Sequence, residues 1–375
     1  LLHTGLGRAP LAPSAVKQIE EVASGYSSVE IDLATGERGQ RSKIVERILR
    51  ELTGCESAAV ANNNAAATML TLSALATGKE VIVSRGELIE IGGSYRLPEV
   101  MECSGCRLRE VGTTNKTRLE DYQKAINENT GAILRVHPSN YQVVGFTEKP
   151  NLRELVDLAH RHRLPLIDDV GSGALVDFSK YGLTDEPHVG ESIKTGSDVV
   201  LFSGDKLVGG PQAGVMVGKK EFIARILKNP LMRAMRVDKM TLAGLQATLE
   251  LYHNLDKAEQ EIPLLNMLVT PLANLQFRSN KFVGQIQHLS GIAAAESVAD
   301  SSMLGGGSVP TQKIETWCAA ITPKIMTVDQ FAHKLRVHST AVMGRISKGR
   351  FHLDFRTIPP RLDVQLVEAF EALFK

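Results

Sequence analysis

Lys206 stands in the segment LFSGDKLVGGPQAG (residues 201–214), after an apolar β-type run and a small polar turn and before a glycine-rich stretch. A lysine presented at the end of a buried strand can form an imine with an aldehyde cofactor. It must lose part of its hydration to do so, because an ordinary ammonium is protonated at neutral pH and is no nucleophile. Asp168, at the end of the apolar run 164–167, is an acid able to pair with a protonated pyridine nitrogen and keep the ring an electron sink. Asp169 follows it and points to the opposite face if the strand continues, so only one of the two can meet such a ring. Asn62, Asn63, Asn64 and Ala65 open a helix directly after a strand, leaving unpaired N–H groups and the positive end of the helix dipole for a phosphate. Asparagine is also an ordinary helix cap, so both readings stay open there. Ser203, three residues before Lys206, would add a hydroxyl to the same phosphate.

These residues need a scaffold that gathers strand ends. Strands are predicted at residues 56–60, 80–84, 107–111, 132–137, 165–168 and 198–202, with helices at 119–126 and 151–162 and another opening on the asparagines. Strands alternating with helices predict an α/β fold with a mostly parallel sheet covered on both faces, and such sheets collect ligands at the carboxyl ends of their strands. Residues 13–50 read as helical, with Ser14 as a cap, and 241–260 as one long helix. A glycine-rich piece at 304–308 precedes a smaller C-terminal α/β domain that closes on a helix at 364–374. The expected division is a large catalytic domain over residues 1–260, with 1–20 packing on the smaller domain, and that smaller domain over 261–375.

The 375 residues, 43% hydrophobic and 23% charged, suffice for a substantial core in a soluble globular protein. A formal charge of +1 gives no overall attraction for nucleic acid, so an RNA partner would be held by a local patch. No stretch of about 18 uncharged apolar residues and no signal-peptide pattern is present, which argues against a membrane and makes the cytoplasm the default. Four cysteines are too few for a disulfide framework. Cys103 and Cys106 form a C-x-x-C pair with no second pair to complete a zinc site, so no residue is assigned to a metal.

The chain order of phosphate loop, acid and lysine resembles that of the fold-type I pyridoxal-phosphate enzymes, the aspartate-aminotransferase-like class. The resemblance implies pyridoxal 5'-phosphate as cofactor, Lys206 as its imine partner, and Asp168 at the pyridinium nitrogen. It places Asn62, Asn63, Asn64, Ala65 and Ser203 at the phosphate and Asn140, in HPSNYQVVGF, near the phenolic oxygen. Eight blocks in order narrow it: HTGLGRAPL, DLATGERGQR, NNNAAA, RGELIEIGGSYRLPEVM, VGTTNKTRLEDY, LIDDVGSG, SGDKLVGGPQAG and NPLMRAMRVDKMTLAGL resemble the bacterial selenocysteine synthases, the L-seryl-tRNA(Sec) selenium transferase family. Agreement is weaker at residues 343–358.

That family implies conversion of L-seryl-tRNA(Sec) to L-selenocysteyl-tRNA(Sec) with selenophosphate, through a dehydroalanyl intermediate. It implies Arg8, Arg233 and Arg236 on the donor's phosphate; the latter two, spaced i,i+3, would share a helix face and grip an oxyanion together. It also implies a homo-oligomer, with a dimer as the minimal unit and a decameric ring of dimers as the larger assembly, and a tRNA-contacting domain upstream of Leu1. Gly5 departs from the family's usual asparagine. Two other readings compete. A related ammonia-lyase or β-eliminating enzyme, acting on a small amino acid or amino sugar phosphate, would keep the same cofactor residues. A non-catalytic RNA-binding scaffold would have lost the lysine or the acid.

Overall fold

The computed structural model describes residues 1–39, 41–93, 95–184, 186–305 and 308–374, with the backbone alone for 308–311. It divides into two compact units, one of residues 2–266 with 305–311, the other of residue 1, 267–304 and 312–375.

In the larger unit seven strands form one sheet: β1 (Ser57–Ala61), β2 (Glu80–Ser84), β3 (Arg107–Val111), β4 (Thr130–Val136), β5 (Leu166–Gly171), β6 (Val199–Ser203) and β7 (Gly214–Gly218). Their spatial order is β1-β7-β6-β5-β4-β2-β3. The pairs from β6 across to β3 are parallel, and β7 runs antiparallel to both its neighbours. Every residue of β1, β6 and β7 is buried, as expected where helices cover both faces of a sheet. One face packs Val81, Val83, Leu134, Ile167 and Leu201 under the helix Asn64–Ala76 and its neighbours, the other packs Ile82, Ile133 and Leu166 under the helix Leu152–Arg161. The strand β7 went unpredicted, because five residues bounded by glycine carry little pattern. Its glycine is obligatory: a Cβ on Gly214 would stand 2.0 Å from the Asn63 carbonyl oxygen.

Two helical expectations change. Residues 13–50 form two helices, Pro13–Ala23 and Lys43–Thr53, and Ala12 rather than Ser14 holds the first cap position. Between them the chain turns: the Asp32 carboxylate accepts from the backbone N–H groups of Ala34 and Thr35, and Gly36 takes a left-handed φ of 72°. The helix expected at 241–260 breaks after Leu251, and Asn254 caps a second helix, Leu255–Glu261, by accepting from Lys257 N–H at 3.1 Å.

The smaller unit holds most of a four-stranded sheet, β8 (Ile292–Gly305), β9 (Ser308–Pro323), β10 (Arg345–Ser347) and β11 (Arg350–Asp354), in the order β8-β9-β11-β10. Register sets its two faces. Ala319 opposite Leu353 and Ile321 opposite Phe351 turn into a core with Phe282, Phe331 and Phe370, whose rings meet edge to face. Cys318 opposite Asp354 and Ala320 opposite His352 lie on the other face. There Asp300, Cys318 and His352 offer polar atoms within 4.8 Å of one another, and the Arg345 guanidinium, bonded to Asp300 and 3.6 Å from the Cys318 sulfur, supplies the positive charge among them.

Four of the positions quoted above lie outside the described residues: Gly306 and Gly307 of the glycine-rich piece, Gln40 of DLATGERGQR and Ser94 of RGELIEIGGSYRLPEVM. All four cysteines are free thiols. Cys103 is exposed, while Cys106 is buried with its thiol 3.5 Å from the Leu72 carbonyl.

Candidate active site

The turn that follows β6 carries Lys206. It is closed by Gly204 N–H donating to the Ala213 carbonyl at 2.8 Å and Gly210 N–H donating to the Gly204 carbonyl at 2.9 Å. A side chain at 204 would put its Cβ 2.8 Å from the Pro211 oxygen, so this turn requires glycine. Lys206 is only 4% exposed. Burial lowers its pKa, Arg8 lowers it further, and Asp169, Asp205 and Glu186 pull it back up. This is the desolvation a nucleophilic amine needs. Arg8 donates to both carboxylate oxygens of Asp205, at 3.0 and 3.2 Å, and so anchors the first residues of this unit beside the lysine. It does so from a left-handed backbone, φ 63°, a conformation that costs an L-residue about 1–2 kcal/mol.

The two aspartates of β5 separate. Asp168 accepts from Arg135 Nη1 at 2.8 Å, its cross-strand neighbour in register on β4; its other oxygen is buried with no hydrogen-bond partner among the described residues. Asp169 turns to the face of the helix Asn64–Ala76. It accepts from Asn64 Nδ2 at 2.9 Å and Gly171 N–H at 3.0 Å, and the Thr68 hydroxyl lies 3.1 Å away. Burial raises its pKa, and those three donors and the Lys206 charge lower it. Tyr95 lies half-buried on the same side; desolvation and the Asp169 charge raise its pKa, opposed by a hydrogen bond with Thr68.

The asparagine loop does three separate jobs. Asn62 N–H donates to the Met235 carbonyl at 2.8 Å, Asn63 caps the helix by accepting from Ala66 N–H at 2.8 Å, and Asn64 binds Asp169. Ala65 is the second residue of that helix. Ser203 reaches the loop through register: it pairs with Gly214, which pairs with Ala61, the residue before Asn62. Asn140 donates through Nδ2 to the Glu90 carbonyl at 2.8 Å, and its Oδ1 is buried without a hydrogen-bond partner among the described residues.

The arginine pair is arranged differently from the expectation. The helix Leu231–Ala234 has only four residues; Met235 ends it, and Arg236 leaves it to form a β-bridge with Ala61, so Arg233 and Arg236 do not share a helix face. They converge by another route. Both line a cavity of about 400 Å³ with Arg38 and Arg41 of the DLATGERGQR block. Its acid is Glu30, which takes Arg41 Nη2 at 2.7 Å and Arg38 Nη2 at 2.9 Å and has Arg236 Nη1 4.0 Å away. Arg8 is not among the residues lining that cavity.

Residues without a sequence-based expectation are Asp205 and Glu186, which act on Lys206, and Thr68 and Tyr95, which meet Asp169. Thr68 had a signal, since it stands four residues after Asn64 on one helix and so shares its face. Asp205 adjoins Lys206, but its pairing with a residue 197 positions earlier leaves no local trace.

A mostly parallel sheet with one antiparallel strand, a lysine after its penultimate strand and a helix N-terminus at its edge define an aspartate-aminotransferase-like fold. An aspartate aminotransferase from Thermus thermophilus, solved with maleate, matches 98% of this chain and 90% of its own at TM-score 0.50 and 16% identity. A D-glucosaminate-6-phosphate ammonia-lyase matches 99% of this chain and 93% of its own at TM-score 0.68 and 22% identity. These likenesses establish the fold. The profile of SelA, L-seryl-tRNA selenium transferase, matches residues 1–359. The L-seryl-tRNA(Sec) selenium transferase of Alkaliphilus metalliredigens (strain QYMF) is 50% identical over 375 residues, 100% of this chain and 80% of that protein. The protein of the same name from Carboxydothermus hydrogenoformans is 50% identical over 358 residues, 96% of this chain and 77% of that one. The chain belongs to the L-seryl-tRNA selenium transferase family.

Proposed function

We propose that this protein, with pyridoxal 5'-phosphate as cofactor, converts L-seryl-tRNA(Sec) to L-selenocysteyl-tRNA(Sec) with selenophosphate as the selenium donor. The observation that carries the reading is Lys206, buried and weakened as a base at the strand ends, in a chain 50% identical to a transferase of that name over all its residues.

The residues present fit the cofactor. A buried amine lies within electrostatic reach of a buried carboxylate, and a 13-residue helix begins beside the serine that ends β6. The donor set therefore offers an imine-forming amine, an acid for a ring cation, and N–H and hydroxyl groups for a phosphate. When bound, pyridoxal phosphate supplies an aldehyde for amines and a ring that accepts electron density from the substrate's Cα.

Lys206 would hold the cofactor and then move the α-proton, a task suited to an amine whose proton affinity is lowered by burial. The ring-nitrogen role, assigned to Asp168 on the resemblance, passes in this proposal to Asp169, which shares a site with Asn64 and Lys206 while Asp168 neutralises Arg135. The N-terminus of the helix at Asn62, Asn63, Asn64 and Ala65, together with Ser203, would take the phosphate. The second N–H of the Asn140 amide would serve the phenolic oxygen. Asp205 orients Arg8 beside the lysine, where Arg8 would meet the incoming selenium donor, and Arg233 and Arg236 would bind that donor's phosphate.

A homo-oligomer belongs to this reading, with a dimer as its minimal unit and a ring of dimers as its larger form. The exposed apolar side chains of Tyr26, Ile31, Leu33 and Ile44 support it. No helix among the described residues is long and apolar enough to cross a membrane, and the substrate, an aminoacyl-tRNA, carries the cytoplasm with it as the compartment.

Wild type and Lys206→Ala, each with pyridoxal phosphate, selenophosphate and either seryl-tRNA or free serine, test the proposal. Selenocysteyl-tRNA from the wild type alone, and no product from free serine, is the expected result. Turnover of a small amino compound with none of seryl-tRNA would overturn it.

A further inference from the structure

A second cavity of the larger unit, about 450 Å³, opens where β2, β3 and β4 end, lined there by Ser84, Thr113, His137 and Ser139. It adjoins the lysine site. His137 N–H donates to the Asp169 carbonyl at 2.9 Å, Ser139 lies 3.7 Å from where a Cβ on Gly171 would be, and Glu186, another lining residue, acts on the Lys206 charge.

Its chemistry differs from that of the arginine cavity. Hydroxyls (Thr114, Thr117, Thr147), amides (Asn115, Gln142) and the Tyr141 ring make up much of the wall. The charged residues of the wall are three acids, Glu87, Glu148 and Glu186, against Lys149. Such a wall repels a phosphate and suits a neutral ligand with many hydrogen-bonding edges and one flat face. Glu87 accepts from Val136 N–H at 3.0 Å, and burial pushes its pKa up to about 7, so near neutrality it carries less than a full charge.

Resting on the function proposed above, we propose that this cavity receives the 3'-terminal nucleoside of seryl-tRNA. The seryl group is esterified to a ribose hydroxyl. With that group at Lys206, the ribose and base must lie within one nucleoside's length, and this cavity is adjacent, of ligand size and matched to ribose hydroxyls and a base edge. An aromatic wall residue gives a stacking partner of the kind single-stranded nucleic acid uses.

Val143 lines the cavity and is 38% exposed, while its neighbour Val144, 84% exposed, does not line it. In the holoenzyme, Val143→Trp is expected to raise KM for seryl-tRNA about tenfold or more, with the visible band of the bound cofactor unchanged. Val144→Trp should leave KM within about twofold. Adenosine should compete with seryl-tRNA in the wild type, and cytidine at the same concentration should compete less. An unaltered KM in Val143→Trp, or no competition by adenosine, overturns the proposal. If the wild type makes no selenocysteyl-tRNA, the function fails instead, and equilibrium dialysis of adenosine against the holoenzyme and Val143→Trp still decides the cavity: binding lost in the variant supports it, and equal or absent binding overturns it.

Discussion

Asp168 and Asp169 are neighbours on β5, both buried, yet they meet opposite surroundings. On one face Asp168 is matched by the Arg135 guanidinium at 2.8 Å, with Glu87 and Tyr122 close enough to act on that arginine's charge. On the other face Asp169 is held by an asparagine amide, a backbone N–H and a threonine hydroxyl, within the electrostatic reach of Lys206. A carboxylate whose charge is cancelled by a fixed guanidinium is a structural pair. Asp169, its pKa raised by burial against the pull of three neutral donors, has no guanidinium among its described hydrogen-bond partners. In the proposed assignment the same residue type thus serves stability on one face of a sheet and chemistry on the other, and the difference between the two sets of partners lies in what packs against each face.

The contrast can be strained from both sides. Lys206→Ala removes the amine on the chemical face, and selenocysteyl-tRNA formation should fall roughly 10⁴-fold, the upper end for a proton-moving group, with the fold intact by circular dichroism. Asp168→Asn leaves the half-buried Arg135 guanidinium beside a neutral amide on the structural face. Unfolding in urea should show a loss of roughly 3–5 kcal/mol.

Glu87 lies near that pair and gives a pH signature. Its carboxyl rises from an ordinary 4.5 to about 7 on folding, so between those values the folded protein binds more protons than the unfolded chain, and stability falls as pH rises through the window. Glu87→Gln should flatten this slope, worth roughly 3 kcal/mol in all, as read from chemical denaturation at several pH values. Smallest is the effect of Arg236→Ala, at an arginine partly exposed and backed by Arg38, Arg41 and Arg233. It should raise KM for selenophosphate about tenfold with kcat nearly unchanged.

Much of this site was legible because strand ends can be read locally. An apolar run, a polar turn and a lysine identify the end of β6, and three asparagines before a run of alanines identify a helix N-terminus. Parallel topology then brings those ends together. What could not be read depends on distant packing. The face taken by Asp169 is set by the helix that Asn64 opens, 105 residues earlier, and the partner of Asp168 is set by register with β4. Arg233 and Arg236 had helical spacing, but the backbone bond between Asn62 and Met235 draws the chain out of the helix before Arg236. The turns between residues 24 and 42 were hidden because apolar residues continue through them, at Ile31 and Leu33, while the Asp32 turn and Gly36 reverse the chain.

Asp169→Asn measured beside Asp168→Asn, each saturated with pyridoxal phosphate and assayed for selenocysteyl-tRNA, tests the division of labour most directly. Asp169→Asn is expected to fold and bind cofactor but to lose roughly 10²–10³-fold in rate, while Asp168→Asn keeps its rate within about tenfold despite its lower stability. An inactive Asp168→Asn beside an active Asp169→Asn would contradict it.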